Sequence, residues 1–227
     1  MAPSSGLRSA TVGHAWEDAV LHLGPILIWY LIYALITGLS WLVYFIVYLI
    51  FVNVGGGPYS ESGPMLGSVF GSIGTLPLYI LACLAGVIPA AIPAVYYSTG
   101  EVVSFKETFA IVSARPLRYI LAGALFSIVA GVGFACCGLP GLAVMLTMPV
   151  FINYVFNTER PVLDAFSSSF SVVYKGEGWS FVGAQLIAAL AFIVLTVCTC
   201  GVGALVAWPV ICFYLQNLAY NKGLLSS

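Results

Sequence analysis

Four long stretches of this chain contain no Asp, Glu, Lys or Arg: residues 19–60, 62–100, 119–158 and 178–221. One membrane-spanning helix needs about 20 successive apolar residues, so the last two stretches each have room for two. Both are punctuated at their centres by turn formers, Cys137-Gly138-Leu139-Pro140-Gly141 in one and Cys200-Gly201-Val202-Gly203 in the other. Gly55-Gly56-Gly57-Pro58 and Gly63-Pro64 divide the first half of the chain in the same way. The pattern predicts six helices, over about 25–52, 67–97, 117–137, 141–157, 179–198 and 202–221. Only 7% of the 227 residues are charged and 61% are hydrophobic, whereas a soluble domain carries roughly a quarter of its residues charged. That leaves too little polar surface to wrap a soluble bundle, and the expected class is an all-α integral membrane protein. The first apolar stretch is too long for a signal peptide, so helix one is read as retained.

A second feature is a period. Pro89, Pro149 and Pro209 are spaced 60 residues apart, and Gly141 and Gly201 precede their prolines by the same distance. The string from Pro149 to Asn157 also matches that from Pro209 to Asn217. A fixed period signals copies of one unit. Before each pair of helices stands a polar residue, a small residue and an aromatic: His14-Ala15-Trp16, Glu107-Thr108-Phe109 and Asp164-Ala165-Phe166. Apolar residues follow at helical spacing: Val12, Trp16, Val20 and Leu23; Phe105, Phe109 and Val112; Val162, Phe166, Phe170 and Val173. Such segments read as amphipathic helices lying in the membrane interface. The expected architecture is one membrane domain over 1–227. It comprises three units of leader helix plus helical hairpin, at about 12–97, 104–157 and 161–221. Pro77 and Pro93 predict a kink or an irregular segment in the second helix.

Charge sets the expected orientation. An even number of spans puts both termini and both inter-hairpin leaders on one side. All seven basic residues fall there: Arg8, Lys106, Arg115, Arg118, Arg160, Lys175 and Lys222. The positive-inside rule makes that side cytoplasmic. Nothing in the charge pattern suggests a nucleic-acid partner.

From about Gly100 to Tyr220 the chain resembles prokaryotic multi-pass membrane domains of undefined function, related to the membrane domain fused to some glycerophosphodiester phosphodiesterases. The residues that carry the likeness are Gly100-Glu101, Phe105-Lys106-Glu107-Thr108-Phe109, Leu139-Pro140-Gly141, Asn157-Thr158-Glu159-Arg160-Pro161, Asp164-Ala165-Phe166, Lys175-Gly176 and the string Gly201, Pro209, Tyr214. The resemblance implies an integral fold in a prokaryotic inner membrane and no catalytic residues. The phosphodiesterase domain is not in this sequence, so that activity does not carry over.

Few residues offer chemistry. His14, Asp18 and His22 recur every four residues; that spacing could hold a metal between two imidazoles and a carboxylate, but the solvated face of an interfacial helix explains it more simply. Cys136, Cys137, Cys198 and Cys200 fall at equivalent turns on the non-cytoplasmic side. They are candidates for an inter-hairpin disulfide or a thiolate metal or redox site, against the plainer reading of small apolar residues in tight turns. Asn153 and Gln185 are polar residues inside spans; interhelical hydrogen bonding or a polar cavity would account for them. Gly67 with Gly71, and Ala34 with Gly38, have the spacing of close helix packing. Tyr33, Tyr44, Tyr48 and Phe51 form a stripe that reads as packing.

No nucleophile with its base, carboxylate pair, metal set or phosphate loop is legible, so no catalytic, cofactor or metal residue is assigned. The expected function is a non-enzymatic multi-pass membrane protein, a scaffold or a modulator of the bilayer or of partner proteins. The alternative is transport or binding of an uncharged or amphiphilic small molecule such as a lipid. Expected partners are the lipid bilayer and a membrane protein or a second copy of the chain.

Overall fold

The computed structural model of the chain describes residues 9–225. Ten helices account for the regular structure there: α1 Val12–Leu21, α2 Leu23–Val54, α3 Gly63–Thr99, α4 Phe105–Ala114, α5 Pro116–Cys137, α6 Leu139–Leu146, α7 Met148–Asn157, α8 Val162–Val173, α9 Gly178–Cys198 and α10 Val202–Asn221. Among the described residues five helices are long and apolar enough to cross a membrane, or six if the bent pair α6 and α7 counts as one. The chain is an all-helical, multi-pass integral membrane protein.

Contacts divide the chain into two compact units, Met1–Ile26 with Ile88–Ser227, and Leu27–Val87. The smaller unit is a helical hairpin. A side-chain carbon on Gly67 would meet Val52 and Tyr48 at 2.6 and 2.8 Å, and one on Gly71 would meet Tyr44 at 2.9 Å. The two glycines thus seat the aromatic stripe of α2, and Phe51 stacks on Phe70 at 4.1 Å. Gly38, by contrast, has open space where its side chain would be, so the expected packing at Ala34 and Gly38 is not formed there.

In the larger unit, α5 and α6 fold back on each other through Gly138, whose φ of +79° favours glycine. Just before the turn Gly133 lies so close to Gly141 that a side-chain carbon would meet its backbone at 2.6 Å. The alanines Ala90, Ala91 and Ala94 of α3 form a core with Ile152 of α7, flanked by Trp208 and Cys212 of α10. Segment α3 is helical throughout, including Pro77 and Pro93.

Helices stand at all three leader positions. Thr11 caps α1 through the His14 amide at 3.3 Å. Ser104 and Glu107 form a reciprocal capping box on α4, and the hydrogen bonds from Ser104 hold the Glu107 carboxyl below its ordinary pKa. In each leader the small residue of the shared triplet is the buried one: Ala15, Thr108 and Ala165 are 0%, 4% and 0% exposed.

Two further expectations are corrected. The fourth predicted helix, over 141–157, is two helices bent by 43°. Pro149 lacks the N–H that would continue α6, and Thr147 ends that helix by donating its hydroxyl to the Val144 carbonyl at 2.7 Å. The second correction concerns α1. The apolar residues Val12, Trp16 and Val20 of α1 and Leu23 at the start of α2 are exposed, while Asp18 and the capping His22 are buried. The face read as solvated is the one packed against the protein, because lipid rather than water is the outer solvent for an apolar stripe.

Candidate functional site

Between α6, α7, α9 and α10, with Ala90 of α3 and Phe134 of α5, lies a cavity of about 310 Å³. The bend between α6 and α7 puts Met145, Met148 and Pro149 on its wall, and α9 and α10 supply Leu186, Phe192, Trp208 and Ile211. The lining is apolar except for Gln185 and Gln216, and no charged side chain belongs to it. Leu142, Met145 and Leu186 are exposed, so the cavity opens sideways through apolar side chains.

The two glutamines differ in their bonding. Gln216 donates from Nε2 to the Pro149 carbonyl at 2.7 Å. Its Oε1 accepts from Asn153 Nδ2 at 3.4 Å, and Asn153 also donates to the Tyr220 hydroxyl at 3.0 Å. Gln185 is 5% exposed, and among the described residues its Nε2 has no hydrogen-bond partner. A buried amide left unpaired costs about 1–3 kcal/mol, unless something occupying the cavity accepts its hydrogen bond.

Asn153 is buried behind this wall and reaches it through Gln216; Gln185 lines it directly. Gln216 and Asn217 escaped the sequence reading, although both lie within the charge-free stretch 178–221 that yielded Gln185. Asn217 also occupies the place in its proline string that Asn157 holds in the other.

Among known families, curated proteins and solved structures, none matches this chain.

The remaining candidates lie elsewhere. Cys136 and Cys137 end α5, Cys198 ends α9 and Cys200 follows in the turn; all four are exposed free thiols. Among the described residues no group of three metal-ligating side chains comes together. His14 turns its Nδ1 to the Ser9 carbonyl at 2.9 Å. His22 is wholly buried, with Nδ1 donating to the Asp18 carbonyl at 2.8 Å and Nε2 accepting from the Val103 amide at 3.1 Å. Burial pushes its pKa below the ordinary value, against the opposing pull of Asp18. The Asp18 carboxylate accepts from the hydroxyls of Tyr97 at 2.5 Å and Tyr96 at 3.4 Å. This cluster anchors α1 to the end of α3.

In the smaller unit a second hollow of about 500 Å³ is lined by Tyr33, Thr37, Ser40, Trp41, Thr75 and Tyr79. The Thr37 hydroxyl is buried there without a partner among the described residues.

Proposed function

We propose that this protein is a non-enzymatic membrane component that binds an uncharged or amphiphilic small molecule of the lipid class in the cavity beside Gln185. One observation carries the reading: an apolar, laterally open space of about 310 Å³ is lined by Gln185, whose buried Nε2 has no partner among the described residues. Small-molecule sites are concave and mostly apolar, with a few placed polar groups. The uncharged wall favours an uncharged occupant, because a charge inside the hydrocarbon is costly. Native mass spectrometry of the chain purified from its own membrane tests this. A bound small molecule is expected, and it should be lost in Ala189→Phe, which fills the cavity from α9. Purified protein carrying nothing, in either form, would remove the reading.

A second reading, that of a scaffold or partner modulator, is supported by the smaller unit. Only 6% of the apolar window in α2 is buried, and the hydroxyls around Thr37 lie in a span where polar groups need partners. Cross-linking from Ser40→Cys in the membrane tests it, with a discrete adduct expected. We place the protein in a prokaryotic inner membrane with both termini cytoplasmic. In support, Arg115 pairs with Glu159, Arg118 reaches the Arg160 carbonyl and Lys222 reaches Ser180, which gathers basic residues at shared helix ends.

A further inference from the structure

The geometry points to a carbonyl-bearing neutral lipid without a charged head as the occupant of the Gln185 cavity, an inference that rests on the ligand-binding reading above. Three observations narrow the class. The first is the hydrogen-bond inventory. Gln216 is held by Pro149 and Asn153, so among the described residues Gln185 Nε2 is the fully buried amide donor of the lining that is left without a partner. The atom is covered by its neighbours, so it bonds an occupant once the Gln185 side chain turns toward the cavity it lines, and what it then calls for is an acceptor oxygen on an otherwise apolar body.

The second is depth. Trp179 is 62% exposed at the start of α9, tryptophans are enriched at the membrane interface, and the next residue, Ser180, accepts from the Lys222 ammonium at 2.7 Å, so this end of α9 is read at headgroup level. Gln185 comes six residues after Trp179 on the same helix, a rise of about 9 Å toward the bilayer centre. Its amide therefore lies inside the hydrocarbon, below the level that a charged or zwitterionic head occupies. A molecule whose oxygen reaches that depth has no such head to leave behind.

The third is size. About 310 Å³ is at the small end of ligand sites, enough for one chain or one ring and too little for a two-chain lipid. Entry runs sideways past Leu186 and Met145, both exposed and apolar. The shared chemistry is a ketone or ester carbonyl, which an acyl ester or a quinone ring would each supply.

Trp208 lines the cavity and serves as the reporter. The full chain in nanodiscs is titrated with a terminally brominated alkane and with the acyl methyl ester of the same chain. A phosphatidylcholine bearing that brominated chain and a short-tailed benzoquinone complete the series. Binding is read as the tryptophan quenching that disappears in Trp208→Phe. The ester is expected to bind about tenfold tighter than the alkane, the worth of one hydrogen bond to a buried amide, and more tightly than the phosphatidylcholine. Stronger binding of the quinone assigns the carbonyl to a ring, and stronger binding of the ester assigns it to an acyl chain. In Gln185→Leu ester and alkane should bind alike, while the ligand-free thermal midpoint holds or rises because an unpaired polar group is gone. Equal binding of ester and alkane by the natural chain overturns the inference and leaves the cavity reading standing. So does phosphatidylcholine binding as tightly as the ester. If no probe quenches Trp208, the cavity reading itself falls.

Discussion

His22 Nε2 accepts the backbone N–H of Val103 at 3.1 Å, across 81 residues of chain. The junction of α1 and α2 is thereby tied to the segment leading into α4. The bond requires an unprotonated Nε2, and burial keeps the imidazole neutral by lowering its pKa. In the unfolded chain a histidine titrates near 6.5. The stabilising contribution is therefore complete above about pH 6.5 and is lost as pH falls toward and through the depressed folded value. Thermal stability in detergent should drop between pH 7 and pH 5. His22→Gln, which cannot ionise, should flatten that window relative to the natural chain. A slope that persists unchanged in the variant would show that His22 is not the source of the acid sensitivity.

The faces of α1 give a second prediction. Ala15 is 0% exposed and Trp16 is 51% exposed. Ala15→Leu should destabilise by about 1–3 kcal/mol through overpacking, whereas Trp16→Leu should change stability by less than about 0.5 kcal/mol. Equal losses in the two variants would restore the orientation first expected from the sequence.

Helix positions were legible because charge-free stretches and glycine turns are local. The α6–α7 break was not, although Pro149 and Pro209 sit in matching strings. The structure breaks at one and runs straight through the other, within α10. The difference lies two residues earlier. Thr147 has a hydroxyl to give the Val144 carbonyl, and the matching residue in the other string is Ala207, which has none. The aromatic leaders were half legible. Phe166 joins Phe126 and Phe151 with ring centroids at 6.3 and 5.5 Å, but Phe109, at the matching place in the second leader, is 55% exposed. Periodicity identifies two faces of a helix and is silent on which one meets lipid. For the cavity, Gln185 stood out by composition alone, but pairing Asn153 with Gln216 needs tertiary contact between α7 and α10.

Arg118 carries a third prediction. Its guanidinium donates to the carbonyls of Val155, Thr158 and Arg160 at 3.0, 2.7 and 2.8 Å, closing the end of α7. Hydrogen bonds from a charged donor contribute about 1.5–3 kcal/mol each, partly replaced by water here. Arg118→Leu should cost roughly 2–4 kcal/mol in denaturation measurements, and Arg118→Lys should recover only part, since an ammonium cannot span the three acceptors. The neighbouring pair of Arg115 and Glu159 is exposed, with 51% and 80% of each side chain open to solvent. Glu159→Gln should leave the thermal midpoint unchanged, as exposed pairs generally do.

The cysteines carry the last prediction, because they report on sidedness. Cys136, Cys137, Cys198 and Cys200 are exposed free thiols at the turns after α5 and α9. The positive-inside argument puts those turns outside the cytoplasm. The terminal residues expected on the other side, Arg8 among them, lie outside the described residues. A membrane-impermeant maleimide added to intact cells or right-side-out vesicles should label the natural chain. Labelling should be lost when all four turn cysteines are replaced by Ser, leaving only Cys83 and Cys212 within α3 and α10. Labelling only after the membrane is opened would reverse the orientation. The same variants test pairing across the hairpins. A disulfide needs Cα atoms within about 7 Å and converging side chains. Mild oxidation of the natural chain should then protect two of the four thiols from the maleimide and should fail to do so in the double variant Cys136→Ser, Cys137→Ser. If all four thiols still label after oxidation, the cysteines are small apolar residues at tight turns, and the turns of the two hairpins stand apart.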